Sequence, residues 1–453
     1  MNRREFVAGA AAAAALKVGR APRPAQAKPA VPTASQLEWQ RDELALFLHF
    51  GVNTFSDREW GDGREDPASF APSSLDAFQW ARAARAGRFR AMILTAKHHD
   101  GFCLWPTATT RHSVASSPWR GGRGDVVGEF VGACRASGLK AGLYLSPWDR
   151  NASVYGDSPR YNDFYCDQLT ELLTRYGPIH EVWFDGANGE GPNGRKQEYD
   201  WPRVFALVRR LQPDAVMFSD AGPDVRWIGN EDGAAGDTNW STVDPAAVPF
   251  PGASGEAVTR MLQQGDPAGT VWRPGETDVS IRPGWFHHPA EDERVKTVDR
   301  LVEIFFSSVG RNSKLLLNVP PTREGLLHEI DMARLAGLRE RLGALFRRNL
   351  AARASEVWRI TGERTAELVI NLGRPVTAAL ADCREDITQG QLIARHAIEG
   401  WDGAQWRTLA RGTTIGCRRL HHLEPFPVRR VRLRIDDAVA PPRRVRVGLY
   451  AGS

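Results

Sequence analysis

The chain has 453 residues, of which 42% are hydrophobic and 25% charged, so it is long enough to bury one large domain and a smaller one. After the N-terminal segment, no run of about 18 or more apolar residues occurs, which argues against a membrane-spanning helix. The formal net charge is +5, but the first 27 residues hold five basic residues and one acidic residue, and the remainder carries only +1. This low charge removes the electrostatic support for nucleic-acid binding.

Residues 1–27 have the features of an export signal. Adjacent Arg3 and Arg4 precede a run of small apolar residues (7–16), and an Ala-x-Ala cleavage motif ends at Ala27. The paired arginines favour the twin-arginine export route. We therefore expect an exported protein, periplasmic or secreted, whose mature chain begins near Lys28.

The next three hundred residues alternate β-rich runs with amphipathic helical runs, which predicts parallel βα units. The candidate strands are residues 44–52, 89–96, 139–147, 180–186, 215–220 and 314–321. The candidate helices are residues 75–87, 125–137, 163–176, 202–211 and 295–309. This alternation predicts a (β/α)8-like barrel over residues 36–345.

An open doubly wound sheet is the alternative architecture. However, no Gly-rich phosphate loop follows any candidate strand, and polar residues cluster just past the strand ends, as they do in barrel enzymes. Because the recognisable strands number fewer than eight, we expect an irregular barrel between residues 220 and 290.

After Leu350 the pattern changes to short alternating runs with turn signals, which predicts a β-sandwich over residues 350–453. The runs are residues 367–372, 391–399, 406–411, 429–436 and 444–450. Trp401 and Trp406 in this domain are candidates for carbohydrate binding, although packing against the barrel is the more common outcome for such aromatics.

The five cysteines show no CxxC motif and no Cys/His metal spacing, so we expect neither a metal nor another cofactor. An odd number of cysteines cannot all pair within one chain. Disulfide bonds are permitted outside the cytoplasm, but nothing in the sequence requires one.

Polar residues stand just after four candidate strands: His49, the segment 97–102, Tyr144 and Asp185. In a barrel these residues converge on one mouth, although each taken alone also has an ordinary structural explanation. Aromatics such as Trp60, Trp105 and Trp183 would pack on the apolar faces of a sugar ring. Glycoside hydrolysis needs two carboxyl groups, and Asp185 is the obvious nucleophile because a rigid apolar strand precedes it and a glycine follows it.

The segments 47–51, 59–60, 97–105, 142–144 and 183–186 together resemble the successive motifs of glycoside hydrolase family 29, the α-L-fucosidases. The resemblance implies a (β/α)8-like barrel followed by a β-sandwich, and retaining hydrolysis of terminal α-L-fucose from a fucosylated oligosaccharide without a cofactor. It implies Asp185 as the nucleophile. It also implies a pocket lined by His49, Glu59, Trp60, His98, His99, Tyr144 and Trp183.

The acid/base residue is predicted from a more local resemblance. The segment 226–231 is similar to the acid/base motif of the subfamily that acts on α-1,3 and α-1,4 linkages, which selects Glu231 and places Arg226 in the substrate site. Glu276 is the competing candidate, since it precedes an aromatic pair that begins at Trp285 and resembles the family's pocket wall. Whichever of the two glutamates is not the acid would orient an Arg or His side chain in the cleft. Asp100 and Asp149 are expected to support the structure of turns rather than to contact the substrate.

Two other functions remain open at this stage. One is a glycosidase for another sugar, which would still use Asp185. The other is a carbohydrate-binding protein with the same barrel, which would need one of the two carboxylates to be missing. We expect no membrane insertion and no nucleic-acid partner, and the oligomeric state is left open.

Overall fold

A computed structural model describes residues 29–452, so the predicted export signal lies outside the described residues. Eight parallel strands close into a barrel in the order β1-β10-β9-β6-β5-β4-β3-β2, and β7 and β8 form a separate two-stranded ribbon. The strands are β1 (Leu44–Leu48), β2 (Ala91–Lys97), β3 (Lys140–Leu145), β4 (Glu181–Trp183), β5 (Val216–Ser219), β6 (Val225–Trp227), β7 (Thr242–Val243), β8 (Val271–Trp272), β9 (Gly275–Ser280) and β10 (Ser313–Asn318). The barrel prediction is confirmed.

Closure of the sheet excludes the doubly wound alternative, because β1 pairs in parallel with both β2 and β10. The first strands are buried along their whole length, as expected for a parallel sheet covered by helices. Two barrel strands, β6 and β9, were not anticipated. The first is only three residues long, and the second reads Gly-Glu-Thr-Asp-Val-Ser, which has no apolar run although every residue is buried.

Helices surround the barrel and pack their apolar faces on its outer surface. They are α1 (Ala34–Asp42), α2 (Val52–Ser56), α3 (Ala77–Ala86), α4 (Val126–Ala136), α5 (Ser158–Arg175), α6 (Trp201–Leu211), α7 (Glu256–Gln264), α8 (Val298–Ser307) and α9 (Glu329–Leu345). Asp76, Asp125 and Asp200 cap α3, α4 and α6 by accepting a backbone N–H three residues on, which explains where these helices begin. Within residues 29–452, no helix is both long and apolar enough to cross a bilayer.

The C-terminal strands form two antiparallel sheets around a shared apolar core, as the β-sandwich prediction requires. The sheets have the orders β11-β12-β17-β14-β15 and β16-β13-β18. The strands are β11 (Ser355–Gly362), β12 (Thr365–Thr377), β13 (Leu380–Arg384), β14 (Ile393–Trp401), β15 (Trp406–Gly412), β16 (Arg419–His422), β17 (Pro427–Ala438) and β18 (Arg446–Tyr450).

Trp401 and Trp406 face each other across the β14–β15 hairpin, with ring centroids 5.4 Å apart. The guanidinium groups of Arg430 and Arg432 lie 4.6 and 4.5 Å from the centroids of Trp401 and Trp406, respectively. Cation–π stacking therefore engages both indoles. This arrangement gives them a local packing role within the five-stranded sheet.

The C-terminal sandwich docks on the N-terminal ends of barrel strands. Glu43, directly before β1, accepts hydrogen bonds from Arg384 and Arg418, and Asn312, directly before β10, exchanges hydrogen bonds with Arg418 and Cys417. The opposite end of the barrel, where the strands end, is the end at which barrel enzymes place their active sites.

Candidate active site

A pocket of about 270 Å³ opens at the C-terminal ends of the barrel strands. Its lining consists of aromatic rings, imidazoles and carboxyl groups contributed by several strands and by the loops that follow them. The lining residues are Phe47, His49, Glu59, Trp60, His98, His99, Tyr144, Trp183, Asp185, Ala187, Glu231, Asp278 and Trp285. The structure thus brings together Asp185, Glu231 and eight of the nine residues that sequence reasoning placed in the substrate site.

Asp185 lies two residues beyond the end of β4, with its side chain 28% exposed. Its Oδ2 accepts a hydrogen bond from the Tyr144 hydroxyl at 3.1 Å, and its Oδ1 accepts one from the backbone N–H of Ala187 at 2.7 Å. Burial, together with the negative charge of Asp185, raises the pKa of Tyr144 well above its usual value, so this hydroxyl remains a donor. The carboxylate is therefore held in one orientation, as a nucleophile requires.

The three pocket histidines are neutral bases. Burial lowers the pKa of His49 to about 3, and it holds the pKa of His98 well below the ordinary value and lowers that of His99. His49 Nδ1 lies 2.9 Å from Asn318 Oδ1, whose amide group donates to Ser280 and to the Trp285 carbonyl. Because that network makes Asn318 Oδ1 an acceptor, His49 carries its proton on Nδ1 and keeps Nε2 free to accept from a ligand hydroxyl.

His99 is oriented in the same way. Its Nδ1 lies 2.7 Å from Ser146 Oγ, and that hydroxyl donates its own proton to the Trp148 carbonyl at 2.7 Å. The imidazole therefore donates from Nδ1, while its Nε2 faces Asp185 Oδ2 at 4.0 Å. His99 Nε2 is therefore an acceptor for a ligand hydroxyl group that lies next to Asp185.

Trp183 forms the floor of the pocket. Its indole stacks on Phe218 with a centroid distance of 4.1 Å and an interplanar angle of 9°. Its Nε1 donates to Glu276 Oε1 at 3.0 Å, which places Glu276 beneath the floor rather than among the lining residues.

Glu276 is fully buried beside Glu181 and Lys314, and Lys314 Nζ lies 2.9 Å from Glu181 and 3.7 Å from Glu276. Burial and the neighbouring Glu181 raise the pKa of Glu276 well above its ordinary value, while Lys314 opposes that shift. In the barrel sheet, Glu276 lies opposite Trp227, two residues nearer the start of β9 than Asp278, or about 6.6 Å deeper along the strand. The geometry therefore gives Glu276 a supporting position, and it does not place this candidate acid within the pocket.

Glu59 lines the pocket, but its two oxygens are engaged by the adjacent wall. They accept hydrogen bonds from the backbone N–H groups of Trp285 and Phe286, and Oε2 lies 3.0 Å from His288 Nε2. Burial of the His288 ring opposes its protonation, yet the hydrogen bonds with Asp57 and Glu59 raise its pKa above the ordinary value. The hydrogen bonds of Glu59 thus tie the loop that carries Trp285, Phe286 and His288 to the segment after α2.

Glu231 lies at the solvent-exposed rim of the pocket, where its Oε2 is 3.3 Å from Trp285 Nε1. Partial withdrawal of the carboxyl group from water raises the pKa of Glu231, and the negative charges of Asp185 and Glu59 add to the effect. Trp60 is also at the rim, with 59% of its surface exposed, and its ring meets Trp148 edge-on at 6.2 Å. A raised pKa and an open position are the two properties that a general acid for a leaving group outside the pocket requires.

Asp278 is a pocket residue that sequence reasoning missed. It is 3% exposed, and its Oδ1 accepts a hydrogen bond from Trp227 Nε1 at 2.8 Å. The available signal was its spacing: Asp278 follows Glu276 by two positions on a strand, so both side chains point to the same face and Asp278 lies nearer the mouth. Phe47, which belongs to the recognised segment 47–51, and Ala187, which directly follows the segment 183–186, complete the lining.

Two residues lie elsewhere: Arg226, the ninth of the predicted substrate-site residues, and Trp105, an aromatic that was expected to pack on a sugar ring. Arg226 is 1% exposed, and its guanidinium donates to the carbonyls of Leu262 and Trp240 and to Asn239. The reason is strand alternation, because its neighbours in β6 pack towards the barrel interior and Arg226 therefore points outwards. Trp105 is likewise fully buried, and its Nε1 donates to Glu171 at 2.7 Å.

Asp100 and Asp149 are supporting residues. Asp100 accepts a hydrogen bond from the backbone N–H of Phe102, and burial raises the pKa of Asp100 to about 7. Asp149 pairs with the buried Lys97 at 2.9 Å and also accepts two backbone N–H groups of its own loop. Both carboxyl groups therefore shape the loops that follow β2 and β3.

One group of potential metal ligands occurs within the described part of the chain, at His287, Asp292 and His328, whose ligand atoms lie within 4.8 Å of one another. Asp292 already accepts a hydrogen bond from the buried Arg282 guanidinium at 2.7 Å. His328 Nδ1 accepts a hydrogen bond from the backbone N–H of Ile330, so the ring carries a proton on Nε2, the atom that faces Asp292. These contacts suit a hydrogen-bonded cluster better than a metal centre.

Comparisons with known proteins agree with this geometry. The family model described as alpha-L-fucosidase matches residues 30–344. Alpha-L-fucosidase 1 of Arabidopsis thaliana is 42% identical over 449 residues, covering 93% of this chain and 87% of the plant protein. A glycoside hydrolase 29 family member from a rumen bacterium has 41% identity and a TM-score of 0.87, with 94% of this chain and 78% of that one covered.

A Ruminococcus gnavus GH29 fucosidase in complex with fucose has 30% identity and a TM-score of 0.84, covering 96% of this chain and 97% of that one. These similarities extend over both the barrel and the sandwich. The chain therefore belongs to the α-L-fucosidase family, glycoside hydrolase family 29.

Proposed function

We propose that this enzyme is a retaining exo-glycosidase that removes terminal α-L-fucose from oligosaccharides or glycoconjugates. The observation that carries the proposal is the pairing of a rigidly held carboxylate, Asp185, with a rim carboxyl group of raised pKa, Glu231, in one aromatic-floored pocket. A similar protein of known structure binds fucose. The pocket volume of about 270 Å³ lies just below the range of roughly 300–1,000 Å³ usual for ligand sites, which suits a single sugar ring and hence exo action.

The proposed reaction has two steps. In the first, an oxygen of Asp185 attacks the anomeric carbon while Glu231 transfers its proton to the glycosidic oxygen, so that an enzyme ester forms and the aglycone leaves as an alcohol. In the second, Glu231 takes a proton from water as that water attacks the same carbon and breaks the ester bond. Two inversions leave the configuration of the released sugar unchanged.

The surrounding residues support each step. Tyr144 and the Ala187 N–H fix the two oxygens of Asp185, and the neutral His49 and His99 offer ring nitrogens to sugar hydroxyl groups. Trp183 provides an apolar face on which the sugar can stack. These contacts orient the anomeric carbon towards Asp185 and keep the aglycone at the rim, beside Glu231.

The preference for α-1,3 and α-1,4 linkages is the finer part of the proposal. It rests on the resemblance of segment 226–231 to the corresponding motif of enzymes with that preference, and on the position of Glu231 at the open rim. A hydrolysis panel that compares an aryl α-L-fucoside with α-1,2-, α-1,3-, α-1,4- and α-1,6-fucosylated oligosaccharides tests it. Faster release from the α-1,2 or α-1,6 substrates would contradict the linkage assignment.

The decisive experiment for the chemistry replaces the nucleophile. Asp185→Asn should lower kcat by about a thousandfold or more on an aryl fucoside while leaving the thermal transition and fucose binding nearly unchanged. Asp163→Asn, on the solvent side of α5, is the matched control and should retain full activity. More than about a tenth of wild-type activity in Asp185→Asn would remove this residue from the role.

The stereochemical outcome is an independent test of the mechanism. NMR of the first-formed sugar should show α-fucose, because a double displacement retains the configuration. Appearance of β-fucose as the first product would contradict a retaining mechanism, even if Asp185 proved essential.

A further inference from the structure

Asp278 occupies the inner wall of the pocket. It is the fourth residue of β9, its side chain is 3% exposed, and it lines the same cavity as Asp185 and Glu231. Trp227 on the neighbouring strand donates to its Oδ1 at 2.8 Å. Among the side chains that the structure describes, none donates a hydrogen bond to its Oδ2, so this oxygen is available to a molecule in the pocket.

The charges around Asp278 disfavour its anionic form. Four carboxyl groups line the pocket, and among the described residues that line it none is Lys or Arg. Glu59 has a histidine partner, His288 at 3.0 Å, whereas Asp278 has no basic partner and lies near both Glu231 and Asp185. Burial, reinforced by the charge of Glu231, raises the pKa of Asp278 well above its ordinary value.

The hydrogen-bonding pattern locates the proton. A neutral carboxyl group has one carbonyl oxygen, which accepts, and one hydroxyl oxygen, which can donate. The Trp227 N–H donates to Oδ1, and a carbonyl oxygen accepts better than a hydroxyl oxygen, so the neutral form of Asp278 is best satisfied with its proton on Oδ2. Asp278 Oδ2 therefore presents an O–H donor on the inner wall, whereas the Tyr144 hydroxyl is already engaged with Asp185 and Glu231 lies at the rim.

We propose that Asp278 is a sugar-binding residue, whose neutral carboxyl group donates a hydrogen bond from Oδ2 to one hydroxyl group of the fucosyl unit. This inference rests on the proposed function, because it assumes that a sugar lies between Asp185 and Glu231. Asp278 contributes to specificity, since a sugar without an acceptor at that position leaves a buried donor unpaired.

The test combines two substitutions with substrate analogues. Asp278→Asn keeps a carbonyl oxygen for Trp227 and places an NH₂ donor where the O–H was, whereas Asp278→Ala removes both groups. Aryl α-L-fucoside and its 2-, 3- and 4-deoxy analogues are assayed with each enzyme. Asp163→Asn, an exposed carboxyl change on α5 outside the pocket lining, is the matched control and should behave as wild type.

We expect Asp278→Asn to keep kcat/KM within about tenfold of wild type, and Asp278→Ala to lose roughly a hundredfold, the usual effect of removing a buried hydrogen bond to substrate. The wild-type enzyme and Asp278→Asn should discriminate against one deoxy analogue, and Asp278→Ala should lose that discrimination selectively. A purely structural role would lower kcat/KM for all the fucosides alike.

Two results would overturn the inference. The first is an Asp278→Asn enzyme that is folded, by its thermal transition, yet as inactive as Asp278→Ala, since the group would then have to be charged. The second is an unchanged preference among the deoxy analogues in Asp278→Ala or, if that variant does not fold, no discrimination against any of them by Asp278→Asn. Failure of the proposed function looks different: the wild-type enzyme would not cleave the parent fucoside, or Asp185→Asn would remain active.

Discussion

The assignment of Glu231 rather than Glu276 as the proton donor can be tested with a different substitution at each position: alanine at the exposed Glu231 and glutamine at the buried Glu276. Glu231→Ala removes the rim carboxyl group and its contact with Trp285. Loss of a general acid costs about 10²–10⁴ in rate when the leaving group is a poor one. An aryl leaving group of low pKa needs no proton, so its ester-forming step should proceed at close to the wild-type rate.

Glu276→Gln is the informative change beneath the floor. Because burial and Glu181 favour the neutral form of Glu276, glutamine copies its shape and keeps an acceptor for Trp183 Nε1. The ion pair of Lys314 with Glu181, at 2.9 Å, is untouched. We therefore expect activity within about threefold of wild type, whereas Glu276→Ala leaves the indole N–H unpaired and should destabilise the fold by roughly 1–3 kcal/mol.

The assay measures both kcat and kcat/KM for aryl fucosides over a range of leaving-group pKa values, with and without azide; rescue of ester breakdown by azide appears in kcat. Glu231→Ala should show a steep dependence on the leaving group and should regain turnover with azide, which attacks the enzyme ester without a general base. The reasoning is refuted if Glu276→Gln shows azide rescue and leaving-group dependence while Glu231→Ala shows neither.

Three further outcomes are expected. The alkaline limb of the pH-activity profile should reflect the ionisation of Glu231, whose pKa is raised. The acid keeps its proton below that pKa and loses it above, so activity falls as the pH rises. In pH-rate measurements, the Glu231→Gln variant should lack this limb. Trp60→Ala should weaken kcat/KM for oligosaccharides by about 2- to 12-fold, the equivalent of ~0.5–1.5 kcal/mol of aromatic contact, with less effect on aryl fucosides; equal losses on both would contradict a role at the rim. N-terminal sequencing of exported protein should find a start near Lys28, and normal export of the Arg3→Lys, Arg4→Lys double variant would exclude the twin-arginine route.

Much of the barrel was predictable because most of its strands are apolar runs, which are recognisable without any tertiary information. β6 and β9 were not predictable, because β6 is only three residues long and β9 is buried although its sequence contains no apolar run. In β9 the polar side chains of Glu276 and Asp278 are accommodated by partners from distant parts of the chain, namely Trp183, Lys314 and Trp227. Only the closed sheet brings those partners within reach.

The site was predictable where a motif residue lies at the C-terminal end of an apolar strand, as Tyr144 does in β3, or just beyond that end, as His49 and Asp185 do after β1 and β4. It was not predictable where the direction of a side chain depends on exact strand register. Arg226 belongs to a motif that also contains Glu231, yet it points away from the pocket. Its neighbours in β6, Val225 and Trp227, face the barrel interior, and side chains alternate along a strand. Conversely, Asp278 enters the pocket from a strand that carried no recognised motif.

The balance of charge in the pocket also limits which sugars the enzyme can accept. With His49, His98 and His99 neutral and Glu59 paired with His288, Asp185 is left as an uncompensated negative charge. A sugar that itself carries a carboxylate, such as a uronic or sialic acid, would bring a second negative charge to about 6 Å, at a cost of about 3 kcal/mol for an effective dielectric constant of roughly 20. Repulsion of this size corresponds to a factor of roughly a hundred in affinity. Acidic monosaccharides would therefore bind weakly because of their charge, even where their shape fits the pocket.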